Sequence, residues 1–329
     1  MRNSNLRRRV IKLMAASLAA CAMPQAAMAM VPDSRAQLHQ WHGFALGAEV
    51  SLQLYHHDGD AAQRIIQKSV KIIRDMEALF SLYQQDSHLS LLNRQGELYD
   101  PPAAFVDLLQ TARRISRMTS GAFDITVQPL WLFYESQDYG GAGVRDDELQ
   151  AIRELIGHEK LFISRHRISF DRPGMAATLN GIAQGYVTDR VSDYLKAEGM
   201  TSVLVDIGEY RALGPQEDKS PWRIGLMDPL NFGEFSHILA LNEGAVATSS
   251  GMGDIFDKDG EFHHLFDPRT GKSAHRYISV TVTAPEATLA DALSTAFCAM
   301  PVAEIKKCLQ DMPSVNVRLT GKTGTVIMI

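Results

Sequence analysis

The sequence predicts an α+β fold with mixed sheets and flanking helices, and three features carry that prediction. Amphipathic helical stripes gather in the first half of the chain, and short alternating strands in the second. Strands and helices do not alternate as βαβα units, which counts against a doubly wound sheet. No G-x-G-x-x-G follows a strand, and Gly321-Lys322-Thr323 lacks the upstream glycine of a P-loop, so the usual nucleotide cradles are missing.

Residues 1–29 of the 329 read as an export signal, leaving 30–329 as the working part of the chain. Five basic residues (Arg2, Arg7, Arg8, Arg9, Lys12) precede an apolar stretch too short to span a bilayer. No acid appears before Asp33, and Ala27-Met28-Ala29 supplies an A-x-A cleavage site. Arg7-Arg8-Arg9-Val10-Ile11-Lys12 has the look of a twin-arginine signal, which predicts a periplasmic protein. Leu18-Ala19-Ala20-Cys21 resembles a lipoprotein box, which would tether the chain to the membrane through Cys21. The formal net charge of −5 becomes more negative once those five cations are removed. An acidic mature protein argues against nucleic acid or an anionic membrane surface as partner. Length permits one large domain or two intimate subdomains. Cys298 and Cys308, ten residues apart on a helical stretch, are too distant for a disulfide and are expected as small buried hydrophobes.

Phe44 to Tyr55 alternates as a strand, and Ala61 to Leu82 carries a helical stripe through Ile65, Ile66, Val70, Ile73, Met76, Leu79 and Phe80. Pro102 to Met118 is a second helix, stopped by Ser120-Gly121, and TSGAFDITVQPL (Thr119 to Leu130) reads as a turn. A loop from Tyr139 to Val144 precedes a helix from Asp146 to Ile156, and Leu161 to Phe170 is a hairpin. Asn180 caps a helix that Gly199 closes, and Ser202 to Ile207 is a strand delivering Asp206 and Gly208 to its end. Strands follow at Trp222 to Met227, Phe235 to Leu241, Ala245 to Thr248, His263 to Phe266 and Ile278 to Ala284. Helices over Thr288 to Met300 and Val302 to Leu309, then strands near Val315 to Leu319 and Gly324 to Ile329, complete the chain.

Asp291 and Thr295 sit four residues apart in a run of helix-forming composition, so they share one face. A carboxylate and a hydroxyl offer hard oxygen ligands, which suit Mg²⁺ better than Zn²⁺, and so few protein groups leave room for phosphate oxygens. The plainer alternative is a helical turn whose Thr bonds back to a carbonyl. Three glycine-bearing stretches are further candidates. Asn180 to Gly185 opens a helix, where free N–H groups attract a diphosphate. Asp206-Ile207-Gly208 ends a strand, and Thr248 to Gly251 is a small-residue turn past which a planar ligand could lie. Each also fits a purely local role as cap, punctuation or hairpin. In HHLFDPRTG, alternation puts His263 and His264 on opposite faces, and an imidazole there could shuttle a proton.

In chain order, LFSLYQQDSHLSLLN, TSGAFDITVQPL, LNGIAQGYVTDR, VLVDIG, ATSSG, HHLFDPRTG and ADALSTA resemble the ApbE family of FAD:protein FMN transferases, from about residue 40 to 329. The twin-arginine signal is similar to that of the branch serving nitrous oxide reductase maturation. The resemblance implies one unit of two subdomains with FAD in the cleft between them. It implies Mg²⁺-dependent transfer of the FMN half of FAD onto a Ser or Thr hydroxyl of a membrane redox protein, releasing AMP. By the same resemblance Asp291, Thr295 and the carbonyl of Ala183 hold the metal, and His264 is the acid/base. Gly181 and Gln184 fall in the diphosphate loop, while Tyr83, Asp189, Asp206, Thr248 and Ser249 match flavin or adenosine contacts.

This chain departs from the family pattern at three places. GGIAKG is here NGIAQG, so Gln184 stands for a lysine and a cation beside the diphosphate is lost. The second glycine of IGG is Glu209, and the TSG turn carries an extra Ser250. These departures keep open an alternative: a periplasmic flavoprotein that holds FAD as electron donor or carrier without transferring FMN.

Overall fold

The computed structural model describes residues 35–137, 139, 144–231 and 233–329. The expected export signal, the lipoprotein-like box at Cys21 and residues 140–143 of the expected loop lie outside them. β1 (Gln37–Ala45) and β2 (Ala48–His56) pair as a hairpin, so the strand expected from Phe44 is the second arm of a turn-linked pair. α1 (Gly59–Phe80) buries its stripe through Ile65, Ile66, Ile73 and Phe80, and the Asp58 carboxylate caps it by accepting the Asp60 and Ala61 N–H groups at 2.9 and 3.1 Å. α2 (His88–Gln95) runs through left-handed Gly96 into β3 (Glu97–Tyr99), and α3 (Ala103–Met118) follows. The TSGAFDITVQPL segment is more than a turn. Asp124 accepts the Thr126 N–H to open a 3-10 turn that runs into α4 (Gln128–Glu135). α5 (Asp146–Arg153) is shorter than expected, and β4 (Leu161–Ile163) with β5 (Arg167–Phe170) forms the expected hairpin, flanked by β3.

α6 (Ala183–Ala197) begins three residues later than the sequence predicts; Asn180 is exposed, and Ile182 occupies the cap position without a side-chain cap bond. β6 (Val203–Asp206), β7 (Tyr210–Leu213), β8 (Trp222–Met227), β9 (Phe235–Leu241) and β10 (Gly244–Ser250) come next. Thr248, Ser249 and Ser250 are therefore strand residues, paired with Thr281, Val280 and Ser279, and not a turn. β11 (Phe266–Asp267), β12 (Lys272–Ser273), β13 (Ser279–Ala284), α7 (Ala287–Ala299), α8 (Val302–Cys308), β14 (Asn316–Thr320) and β15 (Val326–Met328) end the chain. His263 and His264 precede β11 instead of alternating along a strand. His263 makes one bridge with Ile255, and the Asp257 carboxylate takes the Glu261 and Phe262 N–H groups, so local side-chain bonds replace a ladder.

Eight strands form the main sheet in the order β1-β2-β6-β7-β10-β13-β14-β15. All of its pairings are antiparallel, so the α+β class holds while the parallel component of a mixed sheet is absent among the described residues. Short turns join β1 to β2, β6 to β7 and β14 to β15, and tight turns allow only antiparallel neighbours. α7 lies on β10 and β13, and α6 packs against α7, α1 and β7. Ala290, Leu293, Ala296 and Phe297 of α7 have no exposed surface, so this helix is buried almost all round. Cys298 lies on α7 and Cys308 on α8, both free thiols on separate helices. Among the described residues no helix is long and apolar enough to cross a membrane.

Candidate functional site

The site grows from the contact between α6 and α7. A Cβ on Gly185 would lie 2.3 Å from the Ala287 carbonyl oxygen and 2.8 Å from the Asp291 Cβ, so only glycine lets the helices come this close. Asp291, 3% exposed, uses the gap: its Oδ2 accepts the Gly185 N–H at 3.0 Å, satisfying one of the free donors in the first turn of α6. The converse bond runs from α7 to α6. Asp189 accepts the Ala287 and Thr288 N–H groups at 2.8 Å each and the Thr288 hydroxyl, and it also pairs with Arg211. Asp189 was expected to touch flavin or adenosine, but both of its oxygens are committed to the start of α7 and to Arg211.

One turn along α7 from Asp291, the Thr295 hydroxyl lies 3.2 Å from the Ser249 hydroxyl, which also bonds Ser294 at 2.7 Å. Gly181 leaves the room beside it, since a Cβ there would stand 2.8 Å from Thr295 Oγ1. Ala183 is the first residue of α6, two positions before the amide that holds Asp291. The structure thus gathers Gly181, Ala183, Ser249, Asp291 and Thr295 from three separate stretches of sequence. Gln184 joins them from the side: its amide lies over Gly208 at the end of β6, where a Cβ would meet Nε2 at 2.4 Å. Thr248 bonds Thr281 across the sheet at 2.9 Å and is exposed.

Acids dominate the electrostatics here. Burial pushes the Asp291 carboxyl up to about 7, with the Asp189 charge adding to it. Asp206, at the end of β6, is raised to about 7 chiefly by burial, although the Gly208 N–H and the Tyr210 hydroxyl bond to it. Glu209 is raised well above the usual carboxylate range by burial, then by the charges of Asp291 and Asp206. Sequence reasoning had marked Glu209 only as a departure from pattern. It took Gly185 only as the end of a diphosphate-binding stretch and missed Ser294, for which the small-residue spacing within ADALSTA was the available signal.

His264 is held by Asp254, whose backbone N–H and carbonyl lie 3.2 and 3.3 Å from its Nδ1, and the Trp131 ring sits 6.2 Å away. Burial lowers its pKa, so the imidazole is neutral at pH 7; Nδ1 accepts the Asp254 N–H in one tautomer, and only the other, in which Nδ1–H donates to the Asp254 carbonyl, leaves Nε2 free to act as a base. His263 is pushed down to about 4, first by burial and then by His264 and His275. Tyr83 is 75% exposed, over Gly47 in the β1–β2 turn, and Asp254 is one of the acids acting on its phenol.

Among the described residues no three His, Cys, Asp or Glu side chains are grouped to hold a metal ion. The donor set expected from sequence is of another kind: one carboxylate, one hydroxyl and one backbone carbonyl. That set fits a hard cation. Asp291 gives only one oxygen to Gly185, and its neighbours Thr295, Ser249 and Ser294 present oxygen alone.

Residues 46–319 match the ApbE family. A protein of Vibrio cholerae named FAD:protein FMN transferase is 30% identical over 267 residues, covering 78% of this chain and 80% of the relative. The crystal structure of the ApbE protein of Thermotoga maritima aligns with a TM-score of 0.76 at 28% identity, covering 88% of this chain and 96% of that one. The flavin transferase ApbE of Vibrio cholerae aligns with a TM-score of 0.76 at 26% identity, covering 89% and 97%.

Proposed function

The chain belongs to the ApbE family, and we propose that it is a Mg²⁺-dependent FAD:protein FMN transferase whose acceptor is a Ser or Thr hydroxyl of a periplasm-facing redox protein. The observation that carries the reading is Asp291, buried at the start of α6 and one helical turn from the Thr295 hydroxyl. Asp291, Thr295 and the Ala183 carbonyl would hold the cation. When bound, Mg²⁺ neutralises the diphosphate of FAD and steadies the leaving AMP. Gly181 leaves room beside the Thr295 hydroxyl for a phosphate oxygen at the positive end of α6, whose Ala183 and Gly185 N–H groups are themselves bonded to Leu179 and Asp291. The acceptor oxygen attacks the phosphorus of the FMN half. A new phosphoester bond forms, the bond to the bridging oxygen breaks, and AMP leaves with that oxygen. Neutral His264 takes the proton of the attacking hydroxyl, a contribution of about 10²–10⁴-fold for a positioned base.

The basic, apolar and A-x-A segments of residues 1–29 support a periplasmic setting, and the Leu18 to Cys21 box supports a lipid tether there. A second reading, a flavoprotein that binds FAD without transferring FMN, is favoured by Gln184 and Glu209, since one removes a cation from the diphosphate loop and the other adds an acid. The two differ in product. Purified protein with FAD, Mg²⁺ and a Ser- or Thr-containing acceptor peptide is expected to add FMN to the peptide and release AMP, and Asp291→Ala to abolish both. An unmodified peptide beside stoichiometric bound FAD supports the carrier; full transfer by Asp291→Ala removes the metal assignment.

A further inference from the structure

The turn from Asp267 to Gly271, which joins β11 to β12, and the helix α5 border a cavity of about 360 Å³ lined by Asp146, Gln150, Arg153, Arg269, Thr270 and Lys272. The turn is firmly made. The Asp267 carbonyl accepts the Thr270 and Gly271 N–H groups at 3.0 and 2.8 Å, and its carboxylate takes the Arg269 N–H at 3.0 Å. Gly271 is left-handed, and a Cβ there would stand 2.8 Å from Arg153 Cγ, so the missing side chain is what lets α5 close onto the turn.

The three cations of this cavity are not equivalent. Arg269 is neutralised: Asp267 takes its Nε and Nη2 at 2.8 and 3.0 Å, and Glu304 takes its Nη1 at 2.9 Å. Arg153 meets only neutral acceptors, the Gln150 side-chain oxygen at 3.0 Å and the Arg269 carbonyl at 2.6 Å. Its buried Nε has no hydrogen-bond partner among the described residues. Lys272 is exposed and forms no ion pair among the described residues. Asp146, the one carboxylate of the lining, is exposed and likewise pairs with none of the three. Two uncompensated positive charges thus border one cavity in a chain whose formal net charge is −5.

We infer that this cavity is a second ligand site, distinct from the flavin site, which takes a phosphate group, free or as a small phosphate monoester. Two unpaired cations match the charge of a dianion. A guanidinium held by neutral acceptors keeps its full charge, and charge-assisted hydrogen bonds are about twice as strong as neutral ones. Lys272 adds a compact charge on a flexible stem, able to close on an anion from the exposed side. Gln150, whose oxygen is held by Arg153, keeps its amide N–H groups to donate. The volume leaves room for the organic part of a monoester beside its phosphate. The site shares no residue with Ala183, His264, Asp291 or Thr295, so it stands or falls apart from the transfer reaction.

The test titrates the purified protein with inorganic phosphate and with glycerol 3-phosphate by calorimetry, at fixed ionic strength in chloride and with EDTA to exclude phosphate held by a metal. Wild type is expected to bind one equivalent saturably. Lys272→Gln is expected to lose about tenfold in affinity, the worth of one charge-assisted contact. Its melting temperature should not change, because the side chain is exposed and unpaired among the described residues. Lys68→Gln, an exposed lysine on α1, serves as the control and should bind as wild type does. Tighter binding of glycerol 3-phosphate than of phosphate supports a monoester as the ligand; equal or weaker binding supports the free ion. Absence of saturable binding by either probe overturns the inference. So does undiminished affinity in Lys272→Gln, or an equal loss in Lys68→Gln, which would mark a diffuse attraction to surface charge.

Discussion

Replacing Asp189 by alanine should destabilise the fold far more than it disturbs flavin binding. The side chain is 5% exposed and serves two partners at once, the first turn of α7 and the Arg211 guanidinium, itself 15% exposed. Losing the bonds to the Ala287 and Thr288 N–H groups resembles losing an N-cap, about 1 kcal/mol. Stranding Arg211 adds about 3 kcal/mol, the lower end for breaking a buried pair, because exposed Asp193 remains 3.8 Å from the guanidinium. The combined loss is on the order of 4 kcal/mol, or about 8 °C or more in melting temperature for a chain of this size. Urea denaturation monitored by circular dichroism gives the free energy, and Asp189→Asn, which keeps an acceptor oxygen, should fall between alanine and wild type. A loss below about 1 kcal/mol for Asp189→Ala would refute the reasoning. A collapse of FAD affinity in a fully stable Asp189→Asn would restore the flavin-contact reading.

Two further outcomes are expected. Gly181→Ala places a Cβ 2.8 Å from Thr295 Oγ1, so the hydroxyl must rotate away; transfer should fall about 100-fold with the melting temperature little changed, and undiminished transfer would detach Thr295 from the site. His263 has a folded-state pKa of about 4, below its unfolded value of about 6.5, so the unfolded chain binds more protons between these limits. Its contribution is complete above pH 6.5 and is lost as the pH falls toward 4; the stability gap between wild type and His263→Gln should narrow over that window, and a constant gap would show the imidazole is not held neutral.

Long periodic elements were legible in the sequence. The α1 stripe, α3, and the bounds of β8 and β9 follow from side-chain alternation over six or more residues, which only one backbone geometry satisfies. β3, β7 and β12 span two to four residues, too few to show a period, and were missed. The spacing of Asp291 and Thr295 was readable because it lies within one helix. Asp189 was not, since its partners Ala287 and Thr288 lie 98 and 99 residues away and nothing in a linear pattern marks a carboxylate as another helix's cap. Asn180 misled for the converse reason: it had capping chemistry, but the backbone became helical only from Ala183. The histidines looked like strand residues until the Asp257 side chain was seen to bind the backbone that a strand would have used.

Gly185 and Asp189 on α6 face Asp291 and Ala287 on α7, four residues separating the members of each pair, so the helices are fastened by two clasps of opposite direction. A slip of one residue along either helix opens both clasps together. The would-be metal ligand is thus also a rivet of the frame, and the site should assemble in a single step with no half-formed version in which Asp291 is loose while the helices stay docked.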